Sequence, residues 1–158
     1  MELEKVLSHV ADLLEREDIE YRAGIDPDTK TSYLQCNWFI NDFWQTASVV
    51  IDCMPYLNEL WPADPELYWL IPVEILLPIH LEDEEREQAV VNVINSINQR
   101  YRVGHYEVDD RRIVLKHSIF LNHSYYNSNI ILELVEILIK QVRKDMDTFF
   151  NINLGFIE

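Results

Sequence analysis

An alternation of apolar residues with other residues over positions 67–77 constrains the fold of this sequence more than any other feature. Six apolar side chains share one parity there: Leu67, Trp69, Ile71, Val73, Ile75 and Leu77. Because successive side chains of a strand point to opposite faces, this run predicts a long strand. Pro72 lies within it and has no backbone N–H to donate, so we expect an edge position or a bulge there.

Further strands are predicted on both sides of this run. Shorter apolar or alternating patterns mark strands at 19–23, 34–40 and 46–54, with a turn at Asp26-Pro27-Asp28. The proline-containing segment 55–66 reads as a loop. Residues 105–109 and 112–121 form a predicted hairpin around Asp109-Asp110-Arg111.

Helical spacing appears in three places. Apolar residues at three- and four-residue intervals predict a helix over about 2–16. Asp83 can cap a second helix, whose buried stripe runs through Val90, Val93, Ile94, Ile97 and Tyr101. The last helix, over about 128–147, is apolar on more than one face, so we expect it to be buried on two sides, either by its own domain or by a partner.

Runs of strands joined by short turns indicate an antiparallel sheet and an α+β fold. We predict about five strands packed with three helices, in the order α-β-β-β-α-β-β-α. No glycine- or proline-rich linker separates the halves, so residues 1–158 are predicted to form a single domain.

The charge excludes some classes of function. The formal net charge is −15, and almost all of the excess acid lies before residue 101. Such a surface repels phosphates, so we expect no nucleic-acid partner. No apolar run is long enough to span a bilayer and the N-terminus does not resemble a signal peptide, so we expect a cytoplasmic protein with no membrane partner. Cys36 and Cys53 are expected to be buried thiols rather than a disulfide.

No motif points to catalysis. Three glycines cannot build a dinucleotide-binding loop or a P-loop. His105, His117 and His123 lie on or just after the hairpin and could form a pH- or metal-responsive cluster, although ordinary strand positions explain them better. Cys36 could be a nucleophile, but its alternation with Leu34 favours the inner face of a strand. We therefore predict no catalytic residue, no cofactor and no metal site.

Two surfaces are candidates for binding. Aromatic side chains cluster around the proline-containing strand, and Trp38, Trp44, Trp61 and Trp69 are the predicted partner-binding residues. The wide apolar stripe of the last helix predicts a dimer interface through Ile131, Leu134, Leu138 and Val142.

The segment from Asn95-x-x-Asn98 through Gly104-His105-Tyr106-Glu107-Val108-Asp109 to Arg112–Ile119 resembles the C-terminal half of YbjN-domain proteins. The element order over about 3–147 is similar to the fold that this family shares with type III secretion chaperones. The resemblance implies a non-enzymatic domain, often dimeric, that acts through protein–protein contact. Secretion chaperones of this fold are small acidic dimers that hold extended segments of their partners.

These observations leave three hypotheses. The first is a homodimeric, non-enzymatic interaction protein, either a regulator or chaperone-like, with acids that steer a basic partner. The second is a small-ligand sensor with an aromatic-lined pocket between sheet and helices. The third is a hydrolase or metal enzyme that uses the three hairpin histidines.

Overall fold

The computed structural model describes residues 2–41, 45–55, 68–100, 103–122, 127 and 129–155. Its elements follow in the order α1 (Glu2–Arg16), β1 (Tyr21–Ile25), β2 (Ser32–Phe39), β3 (Thr46–Pro55), β4 (Tyr68–His80), α2 (Glu84–Asn98), β5 (His105–Asp109), β6 (Arg112–Asn122) and α3 (Asn129–Asn153). The antiparallel α+β class is confirmed, with six strands rather than about five. The predicted loop at 55–66 lies almost wholly outside the described residues.

The strands form one sheet in the order β1-β2-β3-β4-β6-β5. Strand β4 lies between β3 and β6, so the edge position predicted from Pro72 is wrong. The alternation that predicted β4 is confirmed, because Trp69, Ile71 and Val73 are buried. Pro72 has the opposite parity and is half-buried on the other face. A strand inside the sheet therefore accommodates a residue that lacks a ladder donor.

Contacts divide the chain into two compact units, Met1–Asn37 with Val49–Val73 and Ser118–Val135, and Trp38–Ser48 with Glu74–His117 and Glu136–Glu158. Strands β2, β3, β4 and β6 and helix α3 each contribute residues to both units. The single domain expected from the lack of a linker stays a prediction.

In the first unit, α1 buries the stripe that its spacing predicted. Val6, Val10 and Leu14 are fully buried. The helix ends in a Schellman motif, in which the N–H of Ile19 donates to the carbonyl of Leu14 and Asp18 adopts a positive φ of 56°. This reversal sends the chain directly into β1.

In the second unit, the helix and hairpin signals are confirmed. The carboxylate of Asp83 accepts from the backbone N–H of Arg86 at 2.9 Å, so Asp83 caps α2. Asp110 and Arg111 both have positive φ, as the tight turn of a two-residue hairpin requires. Helix α3 continues to Asn153, beyond the predicted end near 147, because Phe149 and Ile152 extend its buried stripe.

Candidate functional site

A groove of about 670 Å³ lies between α1 and the β1–β2 hairpin in the first unit. Its lining is mostly apolar. The groove residues are Leu7, Ser8 and Ala11 from α1, and Tyr21, Ala23, Gly24, Ile25, Ser32, Tyr33 and Leu34 from the hairpin. Ile25 is 67% exposed, which is high for an isoleucine beside a buried strand. This is a concave apolar surface at the end of the sheet.

Tyr21 of β1 connects the hairpin side of the groove to α1. Its hydroxyl donates to the carboxylate of Glu15 at 2.8 Å, which ties the start of β1 to the last turn of α1. This hydrogen bond favours the protonated phenol and so raises the pKa of Tyr21. The hydrogen bond therefore links β1 to α1 beside the groove.

Glycine at position 24 allows the two strands to pack closely. Gly24 pairs with Tyr33 across the hairpin, and a Cβ at position 24 would lie only 2.5 Å from the Tyr33 hydroxyl. On the same face the guanidinium of Arg22 donates to the side-chain oxygen of Gln35, with Nε at 2.9 Å. The ring of Tyr33 over Gly24 and the neighbouring polar pair stabilise β1, which ends the strand order of the described sheet.

The backbone of β1 presents hydrogen-bonding groups at the edge of the sheet. The N–H of Asp26 donates to the carbonyl of Thr31 at 2.8 Å, so this pair is hydrogen-bonded. Antiparallel pairs alternate between bonded and non-bonded, so with the observed register the backbone groups of Tyr21, Ala23 and Ile25 point away from β2. Strand β1 ends the strand order, and its outward groups form an unpaired row within the described chain.

The opposite end of the strand order is different, because α2 binds the backbone of one residue of β5, Tyr106. Asp109 and Arg112 close the hairpin, so the alternation turns the backbone groups of Tyr106 outward. The side chain of Asn98 binds both of them: its oxygen accepts from the N–H at 2.9 Å and its nitrogen donates to the carbonyl at 3.0 Å. Among the described residues, a side chain of α2 therefore binds the outward backbone groups of Tyr106 in β5, whereas those of Tyr21, Ala23 and Ile25 in β1 point away from the sheet.

Acidic side chains surround the ends of β1. Residues 2–30 carry nine acidic and four basic side chains. Asp18 and Glu20 precede the strand, and Asp26 and Asp28 follow it. The carboxylate of Asp26 accepts from the backbone N–H groups of Thr29 and Asp28, which lowers its pKa and keeps it charged at neutral pH. An apolar floor with acids at both ends favours a ligand that is apolar in the middle and basic at its ends.

Of the tryptophans predicted to bind a partner, Trp38 and Trp69 do not line this groove. Trp69 is 4% exposed and belongs to the core, and Trp38 is half-buried. Trp44 and Trp61 lie outside the described residues. Sequence reasoning missed Tyr21, Ala23 and Ile25, although a short strand followed by a turn between acids was a usable signal.

The predicted dimer residues of α3 are buried within the chain itself. Ile131, Leu138 and Val142 are fully buried and Leu134 is 7% exposed, so in this arrangement they offer almost no surface to a second copy. The wide stripe is covered by the chain's own core. Ile130 and Ile137, each about half exposed, are the large apolar side chains that α3 presents to solvent.

The hairpin histidines do not converge in the described part of the structure. His105 pairs with Lys116, so the next residue, His117, points to the opposite face of the sheet. His123 lies outside the described residues. No group of three or more His, Cys, Asp or Glu side chains that could hold a metal ion occurs among those described.

The two cysteines are buried thiols, as predicted. Burial raises the pKa of Cys36 to about 11 and that of Cys53 to about 12. Both thiols are therefore protonated at neutral pH, and the low nucleophilicity of a thiol argues against the catalytic alternative for Cys36.

Comparison with known proteins identifies no relative, since no family model and no curated protein matches the chain. The likeness to YbjN-domain proteins stays a prediction. Among the described helices, none combines the length and the apolar character that crossing a membrane requires.

Proposed function

We propose that this chain is a non-enzymatic, cytoplasmic interaction domain, a regulator or chaperone-like protein, that holds an extended segment of a partner protein along β1. The observation that carries the proposal is the row of outward backbone groups at Tyr21, Ala23 and Ile25 above an apolar groove. An extended segment that adds to a sheet edge gains main-chain hydrogen bonds from the edge and side-chain contacts from adjacent pockets.

The contrast between the two edges supports β1 as the binding edge. An unpaired edge promotes aggregation unless it is short, charged or covered. The Asn98 side chain covers the backbone of Tyr106 in β5, whereas β1 is only short and flanked by acids. Those acids are expected to oppose pairing of β1 with other strands until a partner of complementary charge binds.

A second copy of the chain is a poor occupant of this edge. Antiparallel pairing of two β1 strands about Ala23 would place Glu20 of one copy opposite Asp26 of the other. Like charges directly opposite each other destabilise a strand pair. We therefore assign the edge to a different protein with basic character, and the proposed homodimer must use another surface.

Selection of peptides tests this proposal. A phage-displayed library of random dodecapeptides is selected on the wild-type chain, and the enriched peptides are then measured against Ala23→Pro by fluorescence anisotropy. The N–H of Ala23 faces away from β2, so proline removes a donor that only an added strand uses and leaves the β1–β2 ladder in place. Ile25→Asp is a second edge variant, and Leu154→Asp is its control because Leu154 is 68% exposed and Ile25 67%.

We expect enriched peptides to lose at least about tenfold in affinity, or about 1.4 kcal/mol, on both edge variants and to bind Leu154→Asp normally. Amide hydrogen exchange at Tyr21, Ala23 and Ile25 should slow when a peptide binds, because their N–H groups become hydrogen-bonded. Failure to enrich any peptide, or enriched peptides that bind the edge variants as tightly as wild type, would refute the proposal.

A further inference from the structure

We infer that the segment bound by β1 has a defined chemistry: apolar side chains at three alternate positions, the middle one large, with Lys or Arg at both ends. This inference rests on the proposed function and specifies its partner. It follows from the register of the hairpin, the size of one side chain and the placement of the acids.

The alternation follows from which β1 residues present their backbone. The backbone N–H and C=O groups of Tyr21, Ala23 and Ile25 point toward the incoming strand. Their side chains lie on the same face of the sheet as those of the residues with which they pair, Cys36, Leu34 and Ser32. Directly opposite residues of neighbouring strands share a face. The incoming residues opposite these three positions in an antiparallel arrangement therefore point their side chains toward α1, into the groove. Those residues should be apolar, because Leu7 and Ala11 form the groove wall there.

The middle position has the most room. Ala23 is the smallest of the three β1 side chains that line the groove and is itself exposed, with Tyr21 on one side and Ile25 on the other. A large side chain opposite Ala23 would fill the space that alanine leaves between them. The residues between the three apolar positions would lie beside Arg22 and Gly24 on the other face. Because Arg22 is exposed, these intervening residues should be polar.

The ends of the segment meet acid at both ends of β1. Asp18 and Glu20 lie before the strand and Asp26 and Asp28 after it, and Asp18, Glu20 and Asp28 are exposed. Partner residues that pass these ends should carry positive charge in either strand direction. Since these carboxylates are at the surface, their attraction should weaken with salt.

Synthetic peptides test the inference directly. The reference probe is Lys-Lys-Val-Thr-Leu-Thr-Val-Lys-Lys. One comparison probe replaces all four lysines by glutamate. Another, Lys-Lys-Val-Val-Leu-Thr-Thr-Lys-Lys, has the same composition without the alternation. Binding is measured by fluorescence anisotropy at low and high salt to wild type, Ala23→Pro and Ala23→Leu.

We expect the reference peptide to bind at least about tenfold more tightly than either comparison peptide at low salt, and the advantage over the glutamate peptide to shrink at high salt. The Ala23→Leu variant should weaken binding of the reference peptide. The same variant should instead prefer a peptide with alanine in place of the central leucine, because the leucine at position 23 of β1 then fills the space that the central leucine of the reference peptide would occupy.

The outcomes separate this inference from the proposed function. Peptides that require the β1 edge, shown by loss of binding on Ala23→Pro, but bind regardless of charge, order or central size would overturn the inference and leave the function standing. Peptides that bind Ala23→Pro as tightly as wild type would mean simple charge attraction and would overturn the inference. No binding of the reference peptide also overturns it, whereas the library selection decides the function.

Discussion

The substitution Asn98→Ala tests how the sheet protects its second edge. In the folded chain the Asn98 side chain binds the N–H and C=O of Tyr106, at 2.9 and 3.0 Å. Alanine removes both of these hydrogen bonds to the backbone of Tyr106. A net hydrogen bond contributes about 1 kcal/mol, and an unsatisfied buried group costs about 1–3 kcal/mol. Tyr106 is itself 1% exposed, so little water can compensate.

We therefore expect Asn98→Ala to lower the free energy of unfolding by about 3 kcal/mol. For a chain of this size the melting temperature should fall by roughly 6–12 °C. The measurement is urea denaturation followed by circular dichroism, with a thermal scan alongside it.

Asn95→Ala is the matched control. Asn95 lies three residues earlier on α2 and is exposed, so the same substitution there leaves the contact between Asn98 and Tyr106 in place. We expect Asn95→Ala to change stability by less than about 0.5 kcal/mol. Equal stabilities of the two variants would refute the role assigned to Asn98.

Three further outcomes are expected. Gly104→Ala should lower the free energy of unfolding, measured in urea, by about 2–4 kcal/mol, because φ at Gly104 is +76° and the new Cβ would lie 2.8 Å from a leucine methyl. Gly155→Ala is the comparison. Its new Cβ would have a nearest contact of 3.3 Å, so it should lower the free energy of unfolding by only about 1 kcal/mol. Cys36 and Cys53 should react with Ellman's reagent only after unfolding, because burial raises their pKa values to about 11 and about 12. Rapid reaction of the native chain would contradict their burial. The pKa of Asp83 is lowered from 3.8, chiefly because its carboxylate accepts a hydrogen bond from the backbone N–H of Arg86. The charged carboxylate therefore stabilises the fold at higher pH. This contribution is lost as the pH falls through the lowered pKa. The difference in urea midpoint between wild type and Asp83→Asn should accordingly shrink as the pH falls below 3.8, and a constant difference would contradict the assignment.

Local signals predicted most of the secondary structure. The spacing of Val6, Val10 and Leu14 predicted α1, and the cap at Asp83 predicted the start of α2. The parity of Trp69, Ile71 and Val73 predicted β4 and its buried face. These features depend on residues close in sequence, so the sequence contains the information directly.

The strand order could not be read in the same way. Pro72 predicted an edge position or a bulge. The edge position is wrong, because β4 lies between β3 and β6, and the bulge stays a prediction. A proline reports only the loss of one N–H, whereas strand order depends on pairing between distant segments.

The candidate site was missed for a related reason. Trp69 was assigned to a partner surface and Leu138 to a dimer interface, and both are buried. An apolar side chain has the same appearance in a sequence whether its own chain or another chain covers it. No side-chain pattern marks Tyr21, Ala23 and Ile25 as a binding site. A binding edge consists of backbone groups, and these are the same for every residue except proline.

The sequence by itself determined the α+β class, the hairpin, the caps, the excess of acid and the buried thiols, because local periodicity, turn chemistry and composition specify these features. Only the tertiary structure decided which strand ends the sheet, which edge Asn98 covers and which apolar residues remain exposed. Each of these depends on which distant segments pair and pack. Within the described residues, that pairing puts β1 at the end of the strand order, with outward backbone groups beside an apolar groove.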